Sequence, residues 1–183
     1  IKPKNLFVRR LGLHYDFVKV LDFGLVKLAA SSGDSQSQLT LDGTTTGTPA
    51  YMSPEMALGD KTMDARSDIY ALGCVAYWLL TGQLVFKGNT PTAVLLAHVQ
   101  TPPIPPSQRS ELEIPEDLER VILTCLEKDP TRRPQDAQEL ARMLESCRDA
   151  RAWNRDQAER WWRIHAPSLA APTPVGAPLA AKS

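Results

Sequence analysis

The sequence predicts a mainly α-helical protein that carries one small β-hairpin. Three observations predict it. Two short runs rich in Val, Phe and Leu lie near the start, separated by a polar link. A long polar stretch without apolar periodicity follows, at residues 29–49. From there almost to the end, apolar residues recur at helical spacing.

The apolar runs are LFV at 6–8 and FVKVL at 17–21, joined by RRLGLHYD, which reads as two short strands in a hairpin. The polar stretch is dominated by Ser, Thr, Gly, Asp and Gln; a loop of that length inside a folded domain is usually functional or disordered. From Asp64 to Thr81, DARSDIYALGCVAYWLLTG has an acidic start and a glycine just past its end, both helix-boundary signals. Its middle is apolar on nearly all sides, so it must be enclosed by other elements. Pro91 to Gln100 is a shorter helix, ended by the prolines of TPPIPPSQ. IPEDLERVILTCLEKD has a proline and acids at its start and an apolar face of Leu118, Val121, Ile122 and Cys125. QDAQELARMLESC is amphipathic, with Ala137, Leu140, Ala141 and Leu144 on one face. A last helical stretch, 150–164, carries Trp153, Trp161 and Trp162, and the Ala/Pro-rich end reads as a flexible tail.

Composition bounds the function. The 183 residues are 43% hydrophobic and 23% charged, ordinary for a globular domain. A net charge of +0 gives no global argument for nucleic acid or an anionic membrane as partner. The 3 cysteines, Cys74, Cys125 and Cys147, form no CxxC or Cys/His cluster, which argues against zinc and a disulfide scaffold and for reduced thiols in a cytoplasmic protein. No signal peptide is visible, and IYALGCVAYWLLTG falls short of the roughly 20 residues a spanning helix needs. Residue 1 is Ile rather than Met, so the expectation is a piece of a longer chain.

The chemistry begins with Asp22, which a strand delivers to a glycine hinge in DFG. Taken alone it reads as a turn residue; functionally, such an acid could ligate a hard cation, and Mg²⁺ takes a few carboxylate or carbonyl oxygens plus phosphates. In KPKN upstream, Lys2 could offer a point charge to a phosphate and Asn5 an oxygen to a metal. Basic, amide and acidic groups in that order on two neighbouring strands could gather around one Mg²⁺–phosphate site.

IKPKN, LDFG, GTPAYMSPE, RSDIYALG and DPTRRP stand in the order and at the approximate separations found in the eukaryotic-type serine/threonine protein kinases. The chain resembles the C-terminal lobe of a kinase of that family in its bacterial style, over about residues 1–147. Residues 148–165 would then be a helical extension and 166–183 a flexible tail.

The resemblance implies ATP and Mg²⁺ as cofactors, protein substrates, and transfer of the γ-phosphoryl group to Ser/Thr hydroxyls. In the family's catalytic loop, His-Arg-Asp and an aliphatic residue precede Lys-Pro-x-Asn. Ile1 matches the aliphatic residue, so the catalytic aspartate would stand immediately before it. The implied catalytic set here is Lys2 at the γ-phosphate, Asn5 and Asp22 as Mg²⁺ ligands, and Thr48 in contact with Lys2. Leu6 and Phe7 match the floor of the adenine pocket, a role that demands apolar burial as much as plain strand core does. Phe23 would pack inward and Gly24 would permit a backbone flip. The polar loop matches the activation segment, with Thr40, Thr44, Thr45 and Thr46 as candidate phosphosites. Asp42 is either a fixed negative charge there or a solvated loop residue. Glu55 should pair with Arg133 in a bidentate bridge, and Asp68 should accept hydrogen bonds from the catalytic-loop backbone. His14, His98 and His165 match no catalytic position. The tryptophans are expected to dock the extension on the lobe rather than to serve a partner.

The alternative is a pseudokinase that scaffolds partners, against which Lys2, Asn5 and Asp22 argue. The 183 residues alone are expected to be inactive, and poorly soluble because helix 66–81 would show a bare apolar face.

Overall fold

Lys2 is extended, as a residue before proline must be, and Pro3–Asn5 forms a single 3₁₀ turn. The computed structural model describes residues 1–11, 14–21, 49–60 and 63–167. The turn feeds strand β1 (Leu6–Leu11), which pairs antiparallel with β2 (His14–Val20) in a two-stranded sheet. The strands run further into the polar link than the apolar runs imply, because hairpin pairing needs only backbone groups and polar side chains can point to water. The pairs are Leu6–Val20, Phe7–Lys19, Val8–Val18, Arg9–Phe17 and Leu11–His14. Between the last two, Tyr15 and Asp16 oppose Arg10 alone, which is a β-bulge, and Asp16 takes a left-handed φ of 56° there. Among the described residues only α6 packs on the hairpin, against β2, and much of both faces stays exposed. Consecutive residues Phe7 and Val8 point to opposite faces, yet both are about half exposed. The apolar burial expected of Phe7 is therefore not found, while Leu6 is half-buried.

Helix α1 (Pro54–Ala57) is a single turn capped by the buried Ser53, whose hydroxyl accepts from the Met56 amide. Helix α2 (Arg66–Thr81) is the central element. It starts two residues later than the acidic signal suggests, because Asp64 folds back to accept from the Arg66 amide at 2.9 Å. It ends at Gly82, whose φ of 65° lets its N–H reach the Trp78 carbonyl. Helix α3 (Pro91–Gln100) is capped by Thr90. Helix α4 (Glu116–Cys125) buries Val121, Ile122 and Cys125 as its spacing predicts, with Leu118 half-buried beside them. Helix α5 (Ala137–Glu145) is capped by Asp136, and helix α6 (Arg155–His165) by Asn154 in a capping box with Gln157.

The core forms around α2. Tyr70, Cys74 and Tyr77 pack with Val85, Phe86, Ile122 and Leu126. Ile69 packs with Val121, Cys125 and Leu140 in a second cluster. Gly73 lets α4 approach, since a Cβ there would stand 2.7 Å from the Cys125 Cβ.

One expectation about faces is corrected. Helix α5 turns Leu140, with Met143 and then Cys147, toward the core, while Ala137, Ala141 and Leu144 are exposed. A spacing of 3, 4 and 7 fits two adjacent stripes, and the chain entering from Asp136 selects the other one. Helix α2 is not enclosed all round: Leu72, Trp78 and Leu79 lie exposed, the bare apolar face expected of helix 66–81 in these 183 residues. Helix α6 begins five residues later than the apolar pattern and packs on β2. The proposed tail lies outside the described residues from 168 onward. Among the described residues no helix is long and apolar enough to cross a membrane.

Candidate active site

The KPKN turn is closed by the Asn5 amide donating to the Lys2 carbonyl at 2.9 Å. This puts Lys2 and Asn5, both half-buried, on one tight turn at the foot of β1. On the neighbouring strand the Leu21 amide donates to the Asn5 carbonyl at 2.7 Å. Leu21 is the residue before Asp22 in sequence. Asp22, Phe23, Gly24, Thr40, Thr44, Thr45, Thr46 and Thr48 themselves lie outside the described residues.

Asp68, in the first turn of α2, reaches toward the same turn. Its Oδ1 stands 3.6 Å from the Ile1 nitrogen. The Asp68 carboxylate is mostly exposed.

Glu55 and Arg133 form the strongest polar contact. Arg133 Nη1 and Nη2 donate to the two Glu55 oxygens at 2.8 Å each, in the parallel fork that a guanidinium and a carboxylate favour. Arg133 has no exposed side-chain surface, so its remaining donors also need partners. Nε donates to the Glu127 carbonyl, Nη1 also to Arg66 and Nη2 also to Lys128. Ser67 Oγ donates to Glu55 Oε1 at 2.6 Å. Burial pushes the Glu55 carboxyl up, but the hydrogen bonds from Arg133 and Ser67 and the nearby positive charge outweigh it and hold the group at about 2. The bridge ties the chain that follows the polar loop to α2 and to the α4–α5 connection.

A second polar cluster escaped the sequence reading. His98 on α3 is fully buried, and its Nδ1 meets the Tyr70 hydroxyl at 2.9 Å. Lys128 Nζ donates to the His98 carbonyl at 2.7 Å and lies 4.4 Å above the Phe86 ring. Burial, then the Lys128 charge, push His98 down to about 4, against a weaker pull upward from the Ala50 backbone. Burial lowers Lys128 itself to about 8. The sole signal in the sequence was a histidine at an apolar position of LLAHVQ. Cys74 and Cys125 are raised to about 12 by burial, so neither is a nucleophile. Cys74, Cys125 and Cys147 are all free thiols. Among the described residues no group of three or more His, Cys, Asp or Glu gathers to hold a metal.

The sequence reading also missed Asp16. Trp153 Nε1 donates to its Oδ2, and Trp162 Nε1 to its Oδ1, both at 2.6 Å. Trp162 is buried, while Trp161 stays half exposed against Trp162 and His165.

Comparison with known proteins identifies the family. The family model described as a protein kinase domain matches residues 1–144. The chain is 44% identical over 140 residues to serine/threonine-protein kinase PknB of Mycobacterium tuberculosis, covering 76% of this chain and 21% of that protein. It is 42% identical over 139 residues to serine/threonine-protein kinase pkn3 of Myxococcus xanthus, covering 75% and 25% respectively. It is 43% identical over 148 residues to a probable serine/threonine-protein kinase of Corynebacterium efficiens, covering 79% and 21%. The chain thus spans about a fifth to a quarter of the length of these relatives. With a matched domain over most of its length and relatives of this identity, the chain belongs to the protein kinase family, on its bacterial serine/threonine branch.

Proposed function

We propose that the protein containing this chain transfers the γ-phosphoryl group of ATP to Ser or Thr hydroxyls of proteins, with Mg²⁺, and that Lys2, Asn5 and Asp22 form its phosphate and metal site. The observation that carries this reading is the 2.7 Å hydrogen bond from the Leu21 amide to the Asn5 carbonyl. It joins the end of the KPKN turn to the residue preceding DFG, which is where two oxygen ligands of one ion must come together.

The donor chemistry fits Mg²⁺. An amide oxygen and a carboxylate are hard donors, and Mg²⁺ takes one or two such groups from protein and the rest from phosphates and water. When bound, the ion neutralises charge building on the phosphoryl oxygens. Lys2 adds a point charge on the same turn, and Asn5 fixes the nucleotide side of the ion. Leu6, half-buried, and Phe7, about half exposed, would line the floor under the base. Thr48 orients Lys2, and the threonines of the polar loop take regulatory phosphate. Residues 1–147 serve as the lobe, 148–165 as its extension and 166–183 as a tail. The three free thiols fit a reducing, cytoplasmic setting.

The 183 residues by themselves are inert on this reading, since the family's catalytic aspartate stands just before the position of Ile1. The test therefore uses a full-length kinase containing this segment, with Mg·ATP and a Ser/Thr-rich protein acceptor. Phosphate transfer is expected, falling by about 100-fold or more in Asn5→Ala and Lys2→Met. A folded full-length protein that binds partners but transfers no phosphate would establish the scaffold instead.

A further inference from the structure

Asp16 occupies an unusual backbone position and is held by two unusual partners. It is the one non-glycine residue with positive φ among the described residues, at 56°. Asp tolerates that region better than most residues, but not freely. It lies in the bulge where Tyr15 and Asp16 face Arg10. Each of its carboxylate oxygens accepts one indole N–H, from Trp153 and Trp162, at 2.6 Å. Both donors come from the far end of the chain, 137 and 146 residues away. Trp162 is 3% exposed and is fixed by α6, whose start is locked by the Asn154 capping box.

A bulge decides which face each later residue of its strand presents. Strand side chains alternate with period two, so a slip of one residue reverses all of them. Downstream of this bulge come Phe17–Lys19, Val20 opposite Leu6, and Leu21 bonded to Asn5. The hairpin does little to defend its own register, since Phe7, Val8, Phe17 and Val18 are exposed and two-stranded ribbons are marginal alone.

We propose that Asp16 is a positioning residue and that Trp153 and Trp162 clamp it, so that the C-terminal helix locks the register of the strand leading to Asp22. The inference rests on the proposed Mg²⁺ site, but the lock is a property of the hairpin and can be tested apart from it. The ligand turn and the C-terminal helix then form one unit: whatever loosens α6 loosens the meeting of Leu21 with Asn5. Asp16 touches no substrate and acts only through the strand.

The test uses a full-length kinase containing this segment and the variants Trp153→Phe, Trp162→Phe and Asp16→Gly. Phenylalanine keeps an aromatic ring, though a smaller one, and removes the donor. Glycine accepts the positive φ and removes the acceptor, so it separates the clamp from backbone strain. The first readout is amide hydrogen exchange without nucleotide. The Leu21 amide is expected to exchange faster in every variant, by about 10-fold or more, while amides in the α2–α4 core stay unchanged. Unchanged Leu21 exchange in folded variants overturns the clamp. The second readout is the Mg²⁺ concentration for half-maximal phosphate transfer, expected to rise about 10-fold with little change in the acceptor KM. If exchange rises but the Mg²⁺ requirement does not, the strand is locked for a reason other than the metal, and the positioning role fails. If the wild type transfers no phosphate, the kinase reading fails, and the exchange result still decides the clamp.

Discussion

Arg133 and Glu55 stand 78 residues apart in sequence and meet in a two-pronged bridge, both oxygens at 2.8 Å, with the guanidinium fully buried. The guanidinium also lies 4.9 Å from the Tyr70 ring centre. Every Arg133 donor is used, so the pair is a closed network rather than an isolated charge. Removing one partner leaves the other buried and unpaired. Arg133→Met or Glu55→Ala is therefore expected to cost about 3–5 kcal/mol, read as a shift in the urea midpoint. The double variant Glu55→Leu with Arg133→Met should recover part of that loss, because no orphan charge remains. Strict additivity of the single variants would show that the two do not act as a pair.

His98 gives the fold a signed acid dependence. The ring is buried, between Tyr70, Phe86 and Lys128, and its folded pKa falls from the ordinary 6.5 to about 4. The unfolded chain thus takes up the proton first as pH drops. The stability due to neutral His98 is complete above about pH 6.5 and is lost progressively toward pH 4. The loss over that window is expected to be roughly 3 kcal/mol. Glu55, held at about 2, adds a second loss that sets in below about pH 4.5 as the unfolded carboxyl protonates. Urea midpoints of wild type and His98→Phe measured from pH 7 to 4 check the first window. A slope that survives unaltered in the variant would assign it elsewhere.

Helices α2 to α5 were legible because proline, acid or glycine marks their ends, whereas the single turn α1 was not read and α6 starts later than expected. Pro91 and Gln100 bound α3 as expected, and Gly82 ends α2. The Glu55–Arg133 bridge was legible only through the family motifs, since nothing local in MSPEMA or TRRP requires them to meet. The face of α5 was misread because Ala137, Leu140, Ala141 and Leu144 satisfy helical spacing as well as the stripe that is buried. Asp16 was invisible for a different reason. Its meaning comes from a bulge and from indoles at the far end of the chain, and neither has a local signature. The meeting of Leu21 with Asn5 follows from hairpin register, whereas the site residues Asp22 and Thr48 lie outside the described residues.

The contact between α2 and α4 leaves no room at Gly73. A methyl group there would stand 2.7 Å from the Cys125 Cβ and 3.3 Å from a Leu126 methyl, inside a core that cannot shift cheaply. Gly73→Ala improves helix propensity by about 1 kcal/mol, yet overpacking costs about 1–3 kcal/mol and should win. The expected result is a lower thermal midpoint. Combining it with Cys125→Gly, which removes the opposing Cβ, should cost less than the two changes summed. A Gly73→Ala variant as stable as wild type would mean that the helices part easily.

The exposed apolar surface predicts how this 183-residue chain behaves in solution. Leu72 and Leu79 lie on one stripe of α2 with the half-buried Ala76 between them, and Leu79 is 69% exposed. Phe7, Val8, Phe17 and Val18 add both faces of the hairpin. Contiguous apolar surface of this kind on a soluble domain drives association. Since Leu72 and Leu79 contribute little to the core, replacing them should change solubility more than stability. Leu72→Lys with Leu79→Glu is expected to shift the chain from concentration-dependent aggregates toward monomer in light scattering, with the urea midpoint nearly unaltered. A wild-type chain that stays monomeric across the concentration range would show that this stripe is not sticky. A double variant that unfolds would show that the stripe is core after all.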